Sequence, residues 1–204
     1  MSNGENMELQ KLLSKARRAA EDYGMIEDGD KIAVGLSGGK DSVTLLYILA
    51  TMRRFLPQKY EVVAISVDMG LGPDEHEVNA VKDLCRELDV EYFIEPTHIG
   101  EIVFDIRKEP NPCSLCANMR RGALNNSAVA HGCNKVALGH HADDLIETLF
   151  LSLFYESRLS TFSPMTKLDR KGLTVIRPMI YIREKEIASF AKDKPIIHNP
   201  CPAD

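Results

Sequence analysis

The sequence predicts an α/β protein, with an open, mostly parallel five-stranded sheet and helices on both faces. Three observations point there. Apolar runs of strand length alternate with longer segments of helical period. Twice such a run ends in glycine and polar residues that lead straight into a helix, at 36–42 and again at 138–144. The chain's 204 residues are enough for one such domain with a proper core.

Composition narrows the class. The net charge is −5, so no global field attracts nucleic acid. Local pairs of arginines, Arg17-Arg18, Arg53-Arg54 and Arg120-Arg121, read first as solvated helix faces. No apolar run has transmembrane length and no basic-then-apolar leader opens the chain, which points to a cytoplasmic protein away from membranes. Five cysteines, an odd number, argue against a disulfide framework and for metal binding, catalysis or core packing.

Residues 1–28 form an N-terminal arm. Leu9, Leu12, Leu13, Ala16 and Tyr23 make a helical stripe that packs on the core, and Gly24 ends it. The domain proper runs from 29 to 204. Gly29-Asp30 turns into the first strand, Ile32 to Leu36. Then come Ser37, Gly38, Gly39, Lys40, Asp41 and Ser42, opening a helix. Glycines let backbone approach a ligand, amides of a helix start carry partial positive charge, and Lys40 and the two serines add donors. The turn is built for an anion such as phosphate. Asp41, out of place for anion binding alone, implies a divalent metal nearby or a bond to the loop itself.

The second strand, 61–68, ends on Asp68. Ligands of open α/β sheets sit beyond the carboxyl ends of the strands, so Asp68 either contacts nucleotide or metal or caps the loop 69–73. A helix over 74–88 places Cys85 at its core face, and a third strand follows at 91–95. The stretch 99–108 has no clear period. Cys113 and Cys116 form a Cys-x-x-Cys at the start of the next helix, where the dipole and Arg120-Arg121 favour thiolate. Such a pair suits zinc, iron–sulfur or redox chemistry. Cys133 reads as core or strand edge. Cys201 sits between two prolines on a stiff, irregular segment and is the best third ligand.

A fourth strand, 135–138, leads into Gly139, His140, His141, Asp143 and Asp144, a polar turn that mirrors the first. Its aspartates either position Mg²⁺ or a substrate amine, or one of them caps the helix behind. Residues 158–171 read as a polar connector and 174–176 as the fifth strand. Arg177 at its end suits a phosphate or RNA, or an ion pair with Glu184 or Glu186.

The segment from Ser37 to Ser42 resembles the Ser-Gly-Gly-x-Asp-Ser loop of the PP-loop, or N-type ATP pyrophosphatase, superfamily. Together with Cys113-Ser114-Leu115-Cys116, Gly139 to Asp144, Arg177-Pro178 and Cys201, in this order, the chain resembles the tRNA 2-thiocytidine synthetase branch. It is related more distantly to 2-thiouridine and lysidine synthetases. The resemblance implies an adenine nucleotide alpha-hydrolase-like fold and an ATP-dependent tRNA thiolase. Such an enzyme adenylates a tRNA base, here a cytidine of the anticodon loop, and replaces its C2 oxygen with sulfur. Implied cofactors are ATP, Mg²⁺ and a 4Fe-4S cluster on Cys113, Cys116 and Cys201. Implied nucleotide contacts are Ser37 to Ser42, Asp68, Gly139, His140 and Asp143. Asp41 then serves Mg²⁺ and pyrophosphate, Asp144 joins it in catalysis, and Arg120 steadies charge on the activated base. Implied partners are tRNA, a sulfur donor (a cysteine desulfurase or sulfide) and a second copy in a homodimer. Alternatives are thiolation of uridine, a cysteine persulfide in place of the cluster, or a non-catalytic ATP-binding module with structural zinc. Members of this branch commonly continue past the third cysteine, whereas this chain stops at Asp204.

Overall fold

The structure is a computed structural model and describes residues 3–72, 75–108 and 111–196. Helix α1 (Asn3–Tyr23) precedes strand β1 (Lys31–Gly35), helix α2 (Lys40–Met52), β2 (Glu61–Asp68), α3 (Glu75–Glu87) and β3 (Glu91–Pro96). A wide π-helical turn, Glu101–Arg107, leads to α4 (Pro112–Ala130), β4 (Lys135–Ala137) and α5 (Ala142–Glu156). The chain then forms β5 (Met165–Leu168), β6 (Leu173–Ile176) and α6 (Glu184–Ala191).

Six strands, not five, make the sheet, in the order β3-β2-β1-β4-β6-β5. The extra strand is β5, which lies inside the stretch read as a polar connector. It pairs antiparallel with β6, Met165 opposite Ile176 and Leu168 opposite Leu173. Its sequence, Met-Thr-Lys-Leu, is half exposed at the sheet edge and carries too little apolar pattern to declare itself. All other pairings are parallel.

The order sets the site. Strands β2 and β3 grow outward from one side of β1, and β4, β6 and β5 from the other. The β1–β4 boundary is therefore the switch point, where the loops leaving two neighbouring strands diverge and open a crevice. Both polar turns leave the sheet there. Right-handed crossovers put α2 and α3 on one face and α4 on the other.

The larger core lies on the α2 face. Leu45, Leu46, Ile48 and Leu49 of α2 are fully buried, joined by Leu12 and Leu13 of α1 and by Ile187 and Phe190 of α6. Each such side chain contributes about 1.5–3 kcal/mol of burial. On the other face, Leu124 and Ala128 of α4 pack over Ala33, Val63 and Val136. Below the strand starts, Lys135 and Asp30 form a buried ion pair of 2.7 Å, with Glu27 Oε2 and the Met25 carbonyl completing the shell of the ammonium. The Asn134 amide donates to the other Asp30 oxygen at 2.7 Å.

Candidate active site

The first turn is held by its own side chains. Gly38 has φ +84°, a left-handed conformation that a side chain would strain. The Ser42 hydroxyl donates to the Gly39 carbonyl at 2.9 Å and lies 3.2 Å from the Ser37 hydroxyl. Gly39 caps α2 with extended backbone and no side-chain bond, which leaves the amides of the helix start open to an anion. Lys40 lies between two carboxylates, 3.1 Å from Asp41 Oδ2 and 3.1 Å from Glu184 Oε1.

The second turn packs onto the first. A Cβ on Gly139 would lie 3.1 Å from the carbonyl carbon of Asp41 and 3.2 Å from the Ser42 nitrogen. His141 and Asp144 cap α5 reciprocally. The Asp144 amide donates to His141 Nδ1 at 3.3 Å and the His141 amide to Asp144 Oδ2 at 2.8 Å. Asp144 is thus the capping aspartate. His141 is buried, and its Nε2 lies 3.8 Å from Asp41 Oδ1, an oxygen that is buried without a hydrogen bond.

Asp143 is engaged elsewhere. Its carboxylate accepts from Arg183 Nε at 2.9 Å and from the Glu184 amide at 2.6 Å, and these bonds hold its pKa below the ordinary range. It lines neither cavity of the crevice. Of the two readings of Arg177, the ion pair with Glu184 or Glu186 is not formed. Its guanidinium donates to the Ser163 carbonyl at 2.6 Å and to Thr166, while Glu184 and Glu186 are taken by Lys40 and Lys15.

Two cavities open beside the loop. One, about 440 Å³, is lined by Ser37, Asp41 and Ser42 of the first turn, Gly139, His140 and Asp144 of the second, and Ala117, Arg120 and Arg121 of α4. The other, about 580 Å³, is lined by Ser37, Ser66, Val67, Asp68, Lys82 and Tyr92. They share Leu36, Ser37 and Val67 and flank the end of β2. Asp68 caps its loop, its Oδ1 accepting from the Gly70 amide at 2.8 Å, and it also borders the second cavity. His140 sits against Phe162, ring centres 4.9 Å apart. Burial, and then the Arg177 cation, lower its pKa below the ordinary value, so the imidazole is neutral near pH 7.

Cys113 and Cys116 stand one turn apart at the start of α4. Cys113 is exposed, while Cys116 is half-buried with its thiol 3.6 Å from the Met69 sulfur. One further turn along, Ala117, Arg120 and Arg121 face the first cavity. The helix thus borders the crevice from Ala117 onward, while neither thiol lines either cavity. Two soft sulfur donors at a helix start, at least partly open to solvent, fit an iron–sulfur centre. The third expected ligand, Cys201, lies outside the described residues. Among the described residues, no three His, Cys, Asp or Glu side chains gather into a metal site by themselves. Cys85 and Cys133 are buried core thiols.

The sequence did not point to Arg183 or Phe162, and it offered Glu184 to Arg177 instead of Lys40. Arg183 and Glu184 gave only a weak signal, a charged pair at a helix start. Nothing in the sequence says that this start reaches back more than a hundred residues to Lys40.

Comparison with known proteins agrees with this geometry. Residues 5–199 match the PP-loop domain family. A tRNA-cytidine(32) 2-sulfurtransferase of Geobacter sulfurreducens is 41% identical over 201 residues, 97% of this chain and 77% of the relative. Its counterpart in Geotalea daltonii is 44% identical over 184 residues, 90% of this chain and 72% of the relative. Among solved structures, the U34-tRNA thiolase NcsA from Methanococcus maripaludis with its [4Fe-4S] cluster superposes with a TM-score of 0.76 at 26% identity. The match covers 98% of this chain and 68% of that one. An NH3-dependent NAD synthetase from Campylobacter jejuni shares the fold alone, at a TM-score of 0.56 and 19% identity, over 90% of this chain and 72% of that one. On these matches the chain belongs to the PP-loop family, in its tRNA 2-thiocytidine synthetase branch.

Proposed function

We propose that this protein is an ATP-dependent tRNA sulfurtransferase that converts a cytidine to 2-thiocytidine. The observation that carries the reading is the first cavity. There the anion-binding loop and the helix that begins with Cys113 and Cys116 open onto one space. The names of the curated relatives support the cytidine, and the cluster-bearing thiolase of the same fold supports an iron–sulfur cofactor.

The chemistry divides between the two cavities. The nucleoside of ATP takes the space beyond β2, beside Asp68 and Tyr92, with its phosphates over the amides of 37–42. The base enters the first cavity, between Arg120, His140 and Asp144. Its C2 oxygen attacks the α-phosphorus and pyrophosphate leaves, converting a poor leaving oxygen into part of AMP. Lys40 and the loop amides stabilise the charge that develops on the phosphates. Asp41, with one buried oxygen unbonded, would hold Mg²⁺ there. A sulfur nucleophile then adds to C2, the C2–O bond breaks, and AMP departs with the oxygen. Arg120 steadies the AMP phosphate as it leaves. Cys113, Cys116 and Cys201 would hold the cluster, which when bound supplies an iron without a protein ligand as the place for an external sulfur. The sulfur comes from sulfide or a cysteine desulfurase.

The protein works as a homodimer through α5. Ile146, Phe150, Leu151, Phe154, Tyr155 and Leu159 lie 42–84% exposed along this helix and the turn behind it. An unpartnered apolar face of this extent marks an interaction surface.

The test is reconstitution. Anaerobically purified protein, given ATP, Mg²⁺, sulfide and unmodified tRNA, should form 2-thiocytidine with release of AMP and pyrophosphate. Cys113→Ser should abolish the thionucleoside. Thiouridine as the sole product would overturn the choice of base. Full thiolation by Cys113→Ser would overturn the cluster, and a zinc-loaded, inactive protein would overturn the enzyme.

A further inference from the structure

The first turn of α6 ties the two polar loops together. Glu184 Oε1 lies 3.1 Å from Lys40 Nζ in the anion loop. One residue earlier, Arg183 binds Asp143 of the second loop through Nε at 2.9 Å and Nη2 at 2.8 Å. The Glu184 amide reaches the same carboxylate at 2.6 Å. Behind this turn, Glu186 accepts from Lys15 of α1 at 2.6 Å, and Ile187 and Phe190 anchor the helix in the core against α2. Phe190 meets the Tyr47 ring edge-on, 5.4 Å between centres. Glu184 is therefore presented to Lys40 from a fixed platform.

Lys40 lies between two carboxylates, so the three side chains together carry one negative charge. That charge stands at the mouth of a loop built for anions. The ammonium has three N–H donors and spends two of them on these carboxylates, so a polyphosphate that takes more than the third donor displaces one carboxylate. Asp41 is the neighbour of Lys40 in the chain and stays with it, whereas Glu184 comes from another element. Burial lowers the Lys40 pKa, and Glu184 and Asp41 more than reverse that, so the ammonium is charged and held at neutral pH. Both Lys40 and Glu184 are part-exposed, at 33% and 50%. An ion pair of this exposure is weak enough to be exchanged for phosphate.

We propose that Glu184 is a positioning residue that holds Lys40 away from the empty anion loop and yields it to the phosphates of the incoming nucleoside triphosphate. This rests on the reading of the loop as the ATP site. Binding of nucleotide then breaks the Glu184–Lys40 pair that joins α6 to the anion loop, while Arg183 keeps its hold on the second loop. Occupancy of the first loop is thereby felt at α6.

A double-mutant cycle read by calorimetry tests it, with α,β-methylene ATP and Mg²⁺ as the probe on the full chain. Glu184→Gln keeps the backbone bond to Asp143 and should bind the analogue about two- to fivefold more tightly, the scale of an exposed pair. Lys40→Met should bind more weakly. In the Lys40→Met background, Glu184→Gln should change affinity less than twofold, because no pair remains to exchange. Equal or weaker binding by Glu184→Gln alone overturns the proposal. The same gain with and without Lys40 also overturns it, since Glu184 would then act only by repelling phosphate. If the unsubstituted protein fails to bind the analogue, the ATP reading falls first and the exchange with it.

Discussion

Gly139 and Asp41 touch backbone to backbone: a Cβ on Gly139 would come within 3.1 Å of the Asp41 carbonyl carbon and 3.2 Å of its Cβ. The obstacle is backbone and the root of a side chain, not a flexible tip, so neither partner gives way easily. Gly139→Ala should separate the two loops by a fraction of an ångström. Affinity for an ATP analogue should fall about tenfold, since misplacements of this order at a positioned site are costly. Thermal melting should move little, because the change lies outside the core. Unchanged affinity would mean that the two loops do not act as one site.

The cysteines should sort by reactivity. Cys113 is exposed at a helix start, whereas burial pushes the Cys85 thiol up to about 12 and raises that of Cys133 as well. Thiolate is the reacting form. Iodoacetamide on cluster-free native protein at pH 8 should label Cys113 within minutes and leave Cys85 and Cys133 unmodified until denaturant is added. Peptide mass spectrometry reads the result. Early labelling of Cys85 would contradict its place between α3 and the sheet.

Much of this site was legible because its parts are local. A strand, two glycines and a helix start fix the anion loop within six residues, and the mirrored turn at 139–144 follows the same rule. Their meeting was legible too, through the convention that ligands gather at strand carboxyl ends. What stayed hidden depends on partners far apart in sequence. Asp143 and Asp144 look alike as neighbours, yet one caps α5 and the other is claimed by Arg183. Strand β5 escaped because an edge strand buries one face only in part. An ion pair was one of two readings of Arg177 because Glu184 and Glu186 lie near it in sequence. In space those carboxylates turn to Lys40 and Lys15.

His140 should titrate low. Burial, and next the cation of Arg177, disfavour its charged form, so its folded pKa lies below the ordinary 6.5. The folded state then binds fewer protons than the unfolded one just below that value. Stability is untouched well above pH 6.5, falls as pH drops through 6.5, and levels off beneath the folded pKa. Imidazole nitrogen shifts should show His140 more than half neutral at pH 6.5. Replacing it with Asn should flatten the loss of stability between pH 6.5 and 5. A midpoint above 6.5 would mean that the carboxylate of Asp144 outweighs burial.

The Lys135–Asp30 pair tests the base of the sheet. Both side chains are at most 5% exposed, and removing one leaves the other charge buried without its partner. Lys135→Met should cost about 3–5 kcal/mol in urea unfolding. The double variant Lys135→Met with Asp30→Leu should recover a part of that, since the uncompensated charge is gone. A single variant as stable as the parent would place water at this pair.

The α5 face should govern assembly. Its six named side chains expose on the order of 700 Å² of apolar surface, close to the roughly 800 Å² per partner of a standard interface. The helix carries Asp143, Asp144, Glu147 and Glu156 and no lysine or arginine, so RNA phosphates are repelled from it. A second copy meets both conditions, because an isologous pair of helices buries the same apolar stripe on each side. Phe150 and Phe154 stack, ring centres 5.9 Å apart, at the middle of that stripe. Light scattering should give a dimer for the parent and a monomer for Phe154→Glu, with ATP-analogue affinity retained, since Phe154 lines neither cavity. A parent that is monomeric at micromolar concentration would assign the face to another partner.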